Sequence, residues 1–519
     1  MVIKALMLVV FFSIMVAIGL YCRKNATNVD GFVLGGRAVG PWLTAFAYGT
    51  SYFSAVIFVG YAGQFGWKYG IAATWVGIGN ALIGSLLAWA VLGRRTRIMS
   101  QHLSSATMPE FFGKRFGSKS LKISASAIIF VFLIPYTASL YNGLSRLFGM
   151  AFNIDYSVCV IVMAVLTGIY VIVGGYMATA INDFIQGIIM IFGIVAVIAA
   201  VLGSKGGFIA SLNGLAQVQD SNVSDVPGIF NSFFGPDPLN LLGVVILTSL
   251  GTWGLPQMVQ KFYAIKSESA VSKGMIISTV FALIVAGGCY FLGGFGRLFT
   301  QEVGILENGT PVGGFDAVVP AMLSNLSEFL IAVVVILVLS ASMSTLSSLV
   351  LTSSSTMTLD LLKGRVVKDR DEKKQLLIMR VLIVVFIVIS VILAIIQYKS
   401  SVTFIAQLMG VSWGALAGAF LAPFLYGLYW KRATQAACWV SFLFSSVVMV
   451  ANIFLRASFP ALLQSPINAG AFCMLAGLVI VPLVSLFTAP PANALVEDAF
   501  SCYDKRVTVR QTEALGDNE

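Results

Sequence analysis

Residues 49–54 read GTSYFS, and this small, polar run stands in the middle of an apolar segment that covers residues 41–66. A second run, GTWGLPQ at residues 251–257, interrupts the apolar segment 238–260 in the same way. Membrane proteins built from inverted repeats often carry one broken helix at the same position in each half. The two runs therefore predict two broken membrane helices, although glycine and proline are also common in unbroken ones.

The composition explains why the flanking segments are taken as membrane spans. The chain has 519 residues, of which 58% are hydrophobic and 10% are charged, and its mean hydropathy is +0.92. A soluble domain carries about 25% charged residues, so soluble enzymes, secreted disulfide scaffolds and disordered chains are excluded. The six cysteines show no CxxC spacing, and the single histidine, His102, stands in a basic loop. We therefore expect neither a disulfide framework nor a histidine-based metal site.

Thirteen segments are long enough to cross a membrane, since a spanning helix needs about 20 apolar residues. They cover roughly residues 3–22, 41–66, 69–93, 121–149, 155–176, 180–203, 238–260, 274–299, 328–362, 376–397, 401–428, 433–456 and 467–489. The broken helices are spans 2 and 7. Spans 2–6 and 7–11 are therefore expected to form two five-helix repeats of opposite topology in an all-α, polytopic membrane protein. Glycines 410, 414 and 418 in span 11 predict a close helix-packing face.

The basic residues predict the orientation of these spans. If the N-terminus lies outside and the C-terminus inside, only seven of the 32 lysines and arginines fall on outward segments: Lys4, Lys68, Arg146, Lys205, Arg297, Lys399 and Arg456. The other 25 then face the cytoplasm, as the positive-inside rule requires, and the net charge of +10 calls for no nucleic-acid partner. We predict one multi-pass domain in the plasma (inner) membrane over residues 1–491, with core repeats at about 41–203 and 238–428. A short cytoplasmic tail follows at 492–519.

Polar groups at membrane depth predict a cation site. Residues 340–348 read SASMSTLSS in the middle of span 9, and positions 341, 344, 345 and 348 share one helix face. Asp183 stands early in span 6, and an acidic residue inside a membrane is a functional candidate. Hard cations prefer carbonyl, hydroxyl and carboxylate oxygens. Isolated serines more often bond to the preceding turn, but six hydroxyls in nine residues favour an ion site.

Three motifs together resemble the sodium:solute symporter family, whose members carry proline, pantothenate, sugars and sialic acid. They are FVLGGR at 32–37, GGY at 174–176 leading to NDFIQ at 182–186, and MSTLSS at 343–348, within a similarity that runs from about residue 30 to 490. The resemblance implies a LeuT-type inverted-repeat fold of thirteen helices. It also implies one sodium site at Thr50, Phe53, Ala341, Ser344 and Thr345. A second sodium site is implied at Asp183, Ser344, Ser347 and Ser348, so two sodium ions per substrate is the hypothesis.

The sequence departs from the pattern of several carriers in this family. Tyr52 stands where the proline carriers have an essential aspartate, which argues against proline itself. Residues 128–142 lack the arginine of the sialic acid carriers, and residues 71–92 lack the glutamate of the sugar carriers. The expected midplane therefore offers hydroxyl, amide and aromatic groups, and an anion there would lie on the N-termini of the half-helices. The candidate substrate-binding residues are Tyr52, Ser54, Trp253, Gln257, Tyr136, Asn142 and Gln407.

These features together favour a sodium-coupled secondary active symporter that works by alternating access. It would import a small organic solute, preferably a carboxylate such as an amino acid or pantothenate. A proton-coupled carrier that uses Asp183 and a sodium/sugar symporter are the open alternatives. The chain shows no filter loop of a channel and no nucleophile–base pair or phosphate-binding loop of an enzyme. We expect a non-enzymatic protein in the lipid bilayer, a monomer or weak oligomer, with Na+ and no organic cofactor.

Overall fold

The computed structural model describes residues 2–152, 155–363, 371–400 and 405–504, and for Val2, Ile3, Ala5, Asn25, Tyr52, Met150, Lys399 and Ser400 it describes the backbone alone. This part of the chain is helical, with isolated bridges such as Val39–Ile265 and no β-strand. The first half contains α1 (Val2–Cys22), α2 (Val29–Leu34), α3 (Pro41–Tyr52), α4 (Ala62–Tyr69), α5 (Thr74–Gly79), α6 (Arg94–His102), α7 (Met108–Arg115), α8 (Lys119–Phe152), α9 (Tyr156–Ser204), α10 (Phe208–Ala216) and α11 (Pro238–Gly254).

The second half contains the helices that complete the bundle. They are α12 (Pro256–Ala264), α13 (Glu268–Gly293), α14 (Thr300–Val303), α15 (Val318–Leu323), α16 (Glu328–Thr356), α17 (Glu372–Ser400), α18 (Ile405–Tyr429), α19 (Gln435–Phe454), α20 (Pro466–Phe487) and α21 (Asn493–Ser501). Turns of π-helix cover Val56–Tyr61, Asn80–Leu87, Trp89–Gly93 and Met357–Leu362. The predicted tail thus begins with α21, which packs on α6 and α7, and residues 505–519 of that tail lie outside the described residues.

Apolar length identifies the helices that can cross a membrane. Nine helices of the described chain meet the requirement, or ten if α11 and α12 count as one bent span, and Leu6–Cys22 is a shorter apolar helix. Two of the nine are long enough to cover more than one predicted span: Tyr156–Ser204 includes the fifth and sixth, and Val56–His102 includes the end of the second and all of the third. The count of thirteen spans and their orientation stay predictions.

Both predicted helix breaks are confirmed, and each consists of extended backbone. α3 ends at Tyr52, and Phe53 adopts φ −91° and ψ 122° before helix resumes. α11 ends at Gly254, and Leu255 adopts φ −78° and ψ 125°. Pro256 then begins α12, because proline lacks the N–H group that a first helical turn leaves unpaired. α12 departs from the direction of α11 by 45°.

One glycine turns the chain between the fifth and sixth predicted spans. Gly175 lies inside α9 with φ 57° and ψ −153°, a left-handed φ that side chains other than glycine rarely adopt. A Cβ atom at this position would also lie 2.9 Å from the Phe32 ring and from the Phe32 carbonyl oxygen. The GGY motif therefore bends α9 where it packs against Phe32 of the FVLGGR motif.

The centre of the bundle is α16, which is buried on all sides from Val334 onward and packs against α3, α8 and α9. α17 and α19 expose apolar side chains such as Val388 and Leu443 along one face, as expected for contact with lipid. The predicted packing face on α18 is confirmed, since a Cβ atom on Gly414 would lie 2.7 Å from the Cα atom of Gly470 on α20. The serine-rich helix is therefore held in the middle of the protein, next to the first break.

Candidate functional site

A cluster of carbonyl and hydroxyl oxygens joins α16 to the first helix break. The Thr345 Oγ1 atom lies 3.0 Å from the Thr50 carbonyl oxygen and 3.1 Å from the Phe53 carbonyl oxygen. The Ser344 Oγ atom lies 3.1 Å from the same Thr50 oxygen. Both hydroxyls also reach the Ala341 carbonyl oxygen, at 3.0 and 3.1 Å. We name these five residues the carbonyl–hydroxyl cluster, and all of them are buried.

Local structure accounts for this cluster. Positions 341, 344 and 345 lie on one face of α16 because residues three and four apart are neighbours on a helix. The extended backbone at Phe53 interrupts the helical hydrogen bonds, so the carbonyl groups of Thr50 and Phe53 are free to turn towards α16. The five oxygen atoms are uncharged and of the kind that hard cations prefer. The structure thus brings together all five residues of the first predicted sodium site.

The second predicted sodium site contains a lysine that the sequence analysis assigned to an inward loop. α12 continues to Ala264, so Lys261 lies on a helix, and its side chain is 2% exposed. The Lys261 Nζ atom donates a hydrogen bond of 3.0 Å to Ser348 Oγ and lies 3.9 Å from Asp183 Oδ2. The assignment of Lys261 to a loop is corrected here, because α12 continues past residue 260 and places this ammonium group beside Asp183.

The two remaining serines of the second site have different partners. Ser347 Oγ donates to the Ser344 carbonyl oxygen of its own helix at 2.8 Å, the back-bonding pattern that isolated helical serines favour. Ser348 Oγ lies 2.9 Å from Ser51 Oγ on α3. Neither Ser51 nor Lys261 is predicted as a site residue from the sequence. A signal for Lys261 was present, since it follows Gln257 by four residues and shares its helix face if α12 continues.

Polar groups without partners lie close to both breaks. The Tyr136 hydroxyl faces Ser54 and Trp413, and its ring packs edge-to-face on the Trp413 ring with the centres 5.9 Å apart. Neither the Tyr136 hydroxyl nor the Trp413 indole nitrogen has a hydrogen-bond partner of good geometry within the described chain. The same holds for both amide atoms of Gln257, which is fully buried. Unpaired buried polar groups are costly, so this region suits a polar ligand.

Trp253 lies apart from this group, although it stands in the second break. Its indole nitrogen donates to the Ile83 carbonyl oxygen at 2.9 Å, so the ring packs on the π-helical turns Asn80–Leu87. For Tyr52 only the backbone is described, so the predicted role of its side chain stays a prediction. Trp253 was expected to contact the substrate, but its side chain packs on Asn80–Leu87 instead. The packing of α11 against those turns sets the direction of the side chain.

Asn142 and Gln407 lie towards the end of the bundle that carries Arg146 and Arg456, which we name the outer end after the predicted orientation. The Asn142 amide oxygen accepts a hydrogen bond from the Tyr156 hydroxyl, and Gln407 lies 3.4 Å from Arg456. Asn142 also lines a cavity of about 760 Å³ at this end. The described contacts of these two residues therefore lie at the outer end, and none of them connects to Ser54, Tyr136 or Gln257.

The same outer cavity holds an opposite charge pair. Asp316 Oδ2 lies 3.9 Å from Arg146 Nε and accepts a hydrogen bond of 3.3 Å from the Ile405 amide. Burial raises the pKa of the Asp316 carboxyl group, and the Arg146 charge and this amide act in the opposite direction. Charged groups thus line the outer end, whereas the group around Tyr136 is uncharged.

An anion was expected to bind the free amide groups that follow the first break. The hydrogen bonds of that turn contradict this expectation. The Ala55 amide donates to Ser342 Oγ, and the Val56 amide donates to Ser54 Oγ, both at 3.2 Å. The next two amides donate to the Ser54 carbonyl oxygen at 3.0 Å. These donors are therefore already paired, and side chains such as Gln257 and Tyr136 are left as the candidate polar contacts of a solute.

Comparison with known proteins supplies a family for this architecture. The family profile described as Sodium:solute symporter family matches residues 32–444. The sodium/proline symporters of Staphylococcus aureus strains JH9 and NCTC 8325 are each 31% identical to this chain over 456 residues, which is 86% of this chain and 84% of theirs. A solved structure of a substrate-bound, outward-open, Na+-coupled sialic acid symporter has a TM-score of 0.75 and 17% identity, and covers 94% of this chain and 98% of that one.

The structural likeness establishes the fold, and the profile and the sequence identity establish the family. The sialic acid symporter and this chain share a LeuT-type helical fold. In this chain, α3 before the first break and α12 after the second pack against the serine-rich α16. The carbonyl–hydroxyl cluster lies where that architecture brings the first break and α16 together. This protein belongs to the sodium:solute symporter family.

Proposed function

We propose that this protein is a sodium-coupled secondary active symporter that imports a small organic solute by alternating access. The observation that carries the proposal is the contact of one hydroxyl group, Thr345 Oγ1, with the Thr50 carbonyl oxygen before the first break and the Phe53 carbonyl oxygen within it. A sodium ion bound there would draw Thr50, Phe53 and α16 together. It would thereby fix the shape of the broken helix.

Coupling follows from linkage between the two ligands. Ser54 is next to Phe53 and faces Tyr136, so an ion that orders the break also orders one wall of the candidate solute site. Sodium then raises the affinity for the solute, and the solute raises the affinity for sodium by the same factor. A membrane potential that is negative inside contributes about 2.3 kcal/mol per charge per 100 mV, which drives sodium and the solute inward.

The solute is proposed to be a small carboxylate such as an amino acid or pantothenate. The relatives named as sodium/proline symporters support an amino acid. The unpaired groups of Tyr136, Gln257 and Trp413 support a polar, uncharged lining that hydrogen-bonds a small solute. Tyr52, where proline carriers have an aspartate, argues for an amino acid other than proline. A sugar is the alternative that the same uncharged lining allows.

The test is uptake into liposomes that contain the purified protein. Labelled proline, other neutral amino acids, pantothenate, monocarboxylates, sialic acid and sugars are each offered with an inward sodium gradient and with choline in its place. We expect one class of solute to accumulate only with the sodium gradient. Accumulation without sodium that follows a proton gradient would instead select a proton-coupled carrier that uses Asp183. If only sugars accumulate, the solute is a sugar and the proposed carboxylate is wrong.

A further inference from the structure

An ammonium group lies among the oxygen atoms that the sequence assigns to a second sodium ion. Lys261 Nζ is 3.0 Å from Ser348 Oγ and 3.9 Å from Asp183 Oδ2, and it lies over the Tyr176 ring at 5.1 Å from the ring centre. Asp183 is fully buried and Lys261 is 2% exposed. In the described part of the chain, Lys261 is the one cationic group that forms an ion pair with Asp183.

This lysine is connected to the carbonyl–hydroxyl cluster by two hydrogen bonds. Lys261 donates to Ser348, and the Ser348 hydroxyl lies 2.9 Å from the Ser51 hydroxyl. Ser51 is adjacent to Thr50, whose carbonyl oxygen contacts Ser344 and Thr345. The ammonium group therefore links α12, which follows the second break, to α16 and to α3, which precedes the first. A cation at this position ties together the same elements that the first sodium ion is proposed to order.

Electrostatics leaves little room for a further cation here. A buried carboxylate needs a positive partner, since an uncompensated charge is costly in a medium of low dielectric constant. Lys261 supplies a positive charge 3.9 Å from Asp183 Oδ2, although neither carboxylate oxygen of Asp183 has a hydrogen-bond partner within the described chain. A sodium ion bound by Asp183 and Ser348 would lie within a few ångströms of the ammonium group, and two like charges repel strongly at that distance inside a protein.

We infer that Lys261 takes the place of a second sodium ion, so that each transport cycle couples the solute to one sodium ion. In this view Lys261 is a positioning residue: its covalently attached charge neutralises Asp183 and links the two broken helices without leaving the protein. The inference rests on the proposed function, since it concerns the stoichiometry of that sodium coupling. It replaces the hypothesis of two sodium ions per solute.

The wild-type protein gives the first test. Sodium chloride is titrated against choline chloride at constant ionic strength, and the melting temperature of the purified protein is followed as a measure of binding. The coupling ratio is measured in liposomes from the membrane potential at which net solute flux is zero. We expect a one-site titration curve and one sodium ion per solute. A ratio of two sodium ions would overturn the inference but leave the symporter proposal intact, whereas a solute flux that ignores sodium would remove both.

Two variants then test the role of the lysine itself. Lys261→Ala removes the ammonium group and leaves Asp183 without a cation, so we expect a second, sodium-dependent step in the melting-temperature titration. Adding Asp183→Asn to that variant should return the titration to one step. A one-step titration in folded Lys261→Ala would contradict the inference. If Lys261→Ala does not fold, the wild-type coupling ratio still tests the inference. The double variant Asp183→Asn with Lys261→Met removes both ionisable groups, and we expect its titration to keep one sodium-dependent step.

Discussion

The carbonyl–hydroxyl cluster and the Asp183–Lys261 pair contact α16 about one helical turn apart, at Thr345 and at Ser348. They differ in charge, because the cluster contains only uncharged oxygens and the pair contains two ionisable groups. The cluster consists of uncharged oxygens that hydrogen-bond one another, with Thr345 contacting both Thr50 and Phe53. The pair consists of an acidic and a basic side chain buried together, with Ser348 as the contact on α16. An uncharged cluster stays stable when an ion leaves, because its hydroxyl groups then donate to the carbonyl oxygens. A buried carboxylate has no such substitute.

This difference indicates which of the two regions can exchange its cation during transport. A hydroxyl group rotates at little cost, so it donates to a carbonyl oxygen in one state and offers a lone pair to an ion in the other. An unpaired buried charge costs several kcal/mol, so the partner of Asp183 has to stay. We therefore assign the exchangeable ion to the cluster and the permanent cation to Lys261.

The largest effect is expected when one charge of the pair is removed. Asp183→Asn leaves the Lys261 ammonium buried without its partner, so the free energy of unfolding should fall by about 3–5 kcal/mol. The double variant Asp183→Asn with Lys261→Met removes both charges and should regain most of this loss. The measurement is thermal unfolding in detergent without sodium. Equal losses in the single and double variants would mean that the two side chains do not act as a pair.

The next effect tests the cluster. Thr345→Val keeps the shape of the side chain but removes the hydroxyl, and it leaves the carbonyl groups of Thr50, Phe53 and Ala341 without that contact. At about 1–3 kcal/mol for such a loss, the sodium concentration for half-maximal uptake should rise by about fivefold to 150-fold. Thr356→Val is the matched control, because the Thr356 hydroxyl bonds only to Thr352 of its own helix among the described residues. The assignment fails if both variants need the same sodium concentration.

A smaller effect is expected at the uncharged group around Tyr136. Tyr136→Phe removes a buried hydroxyl that has no partner of good geometry in the described chain. If the solute is that partner, the KM for solute should rise by about threefold to tenfold, since one hydrogen bond contributes about 0.5–1.5 kcal/mol. Tyr426→Phe is the control, because its hydroxyl bonds to Leu478 at the periphery. An unchanged KM in initial-rate uptake would separate Tyr136 from the solute.

The smallest effect is expected at Trp253, where sequence and structure disagree. Its indole nitrogen bonds to the Ile83 carbonyl oxygen, so Trp253→Phe should change the KM for solute by less than about twofold while lowering the free energy of unfolding by about 1 kcal/mol. Uptake kinetics and thermal unfolding of the same preparation give both numbers. A large rise in KM without loss of stability would restore the substrate contact that the sequence predicts.

The first predicted site could be found in the sequence because its signals are local. A small, polar run in an apolar segment marks the break at Phe53, and helical spacing puts Ala341, Ser344 and Thr345 on one face. Only the pairing of those two segments is long-range, and the matching breaks in the two halves of the chain indicated it. The structure brings the same five residues together.

Lys261 was missed because its environment depends on the length of a helix and on three other elements. A lysine near the end of a span can extend towards water or towards the protein interior, and its long aliphatic stem allows both. Counting basic residues on loops therefore assigned it to the cytoplasm. Its actual neighbours, Asp183 on α9 and Ser348 on α16, are distant in sequence.

By itself the sequence determined that this is a helical membrane protein of the symporter type, where its helices break and which face of α16 carries hydroxyl groups. Those properties follow from hydropathy and helical periodicity, which are readable within one segment. Only the tertiary structure decided which cation meets Asp183 and which side chains near the breaks stay unpaired. Such contacts join elements that pack after the helices have formed, and the electrostatic cost of burying a charge is set by all of those elements together.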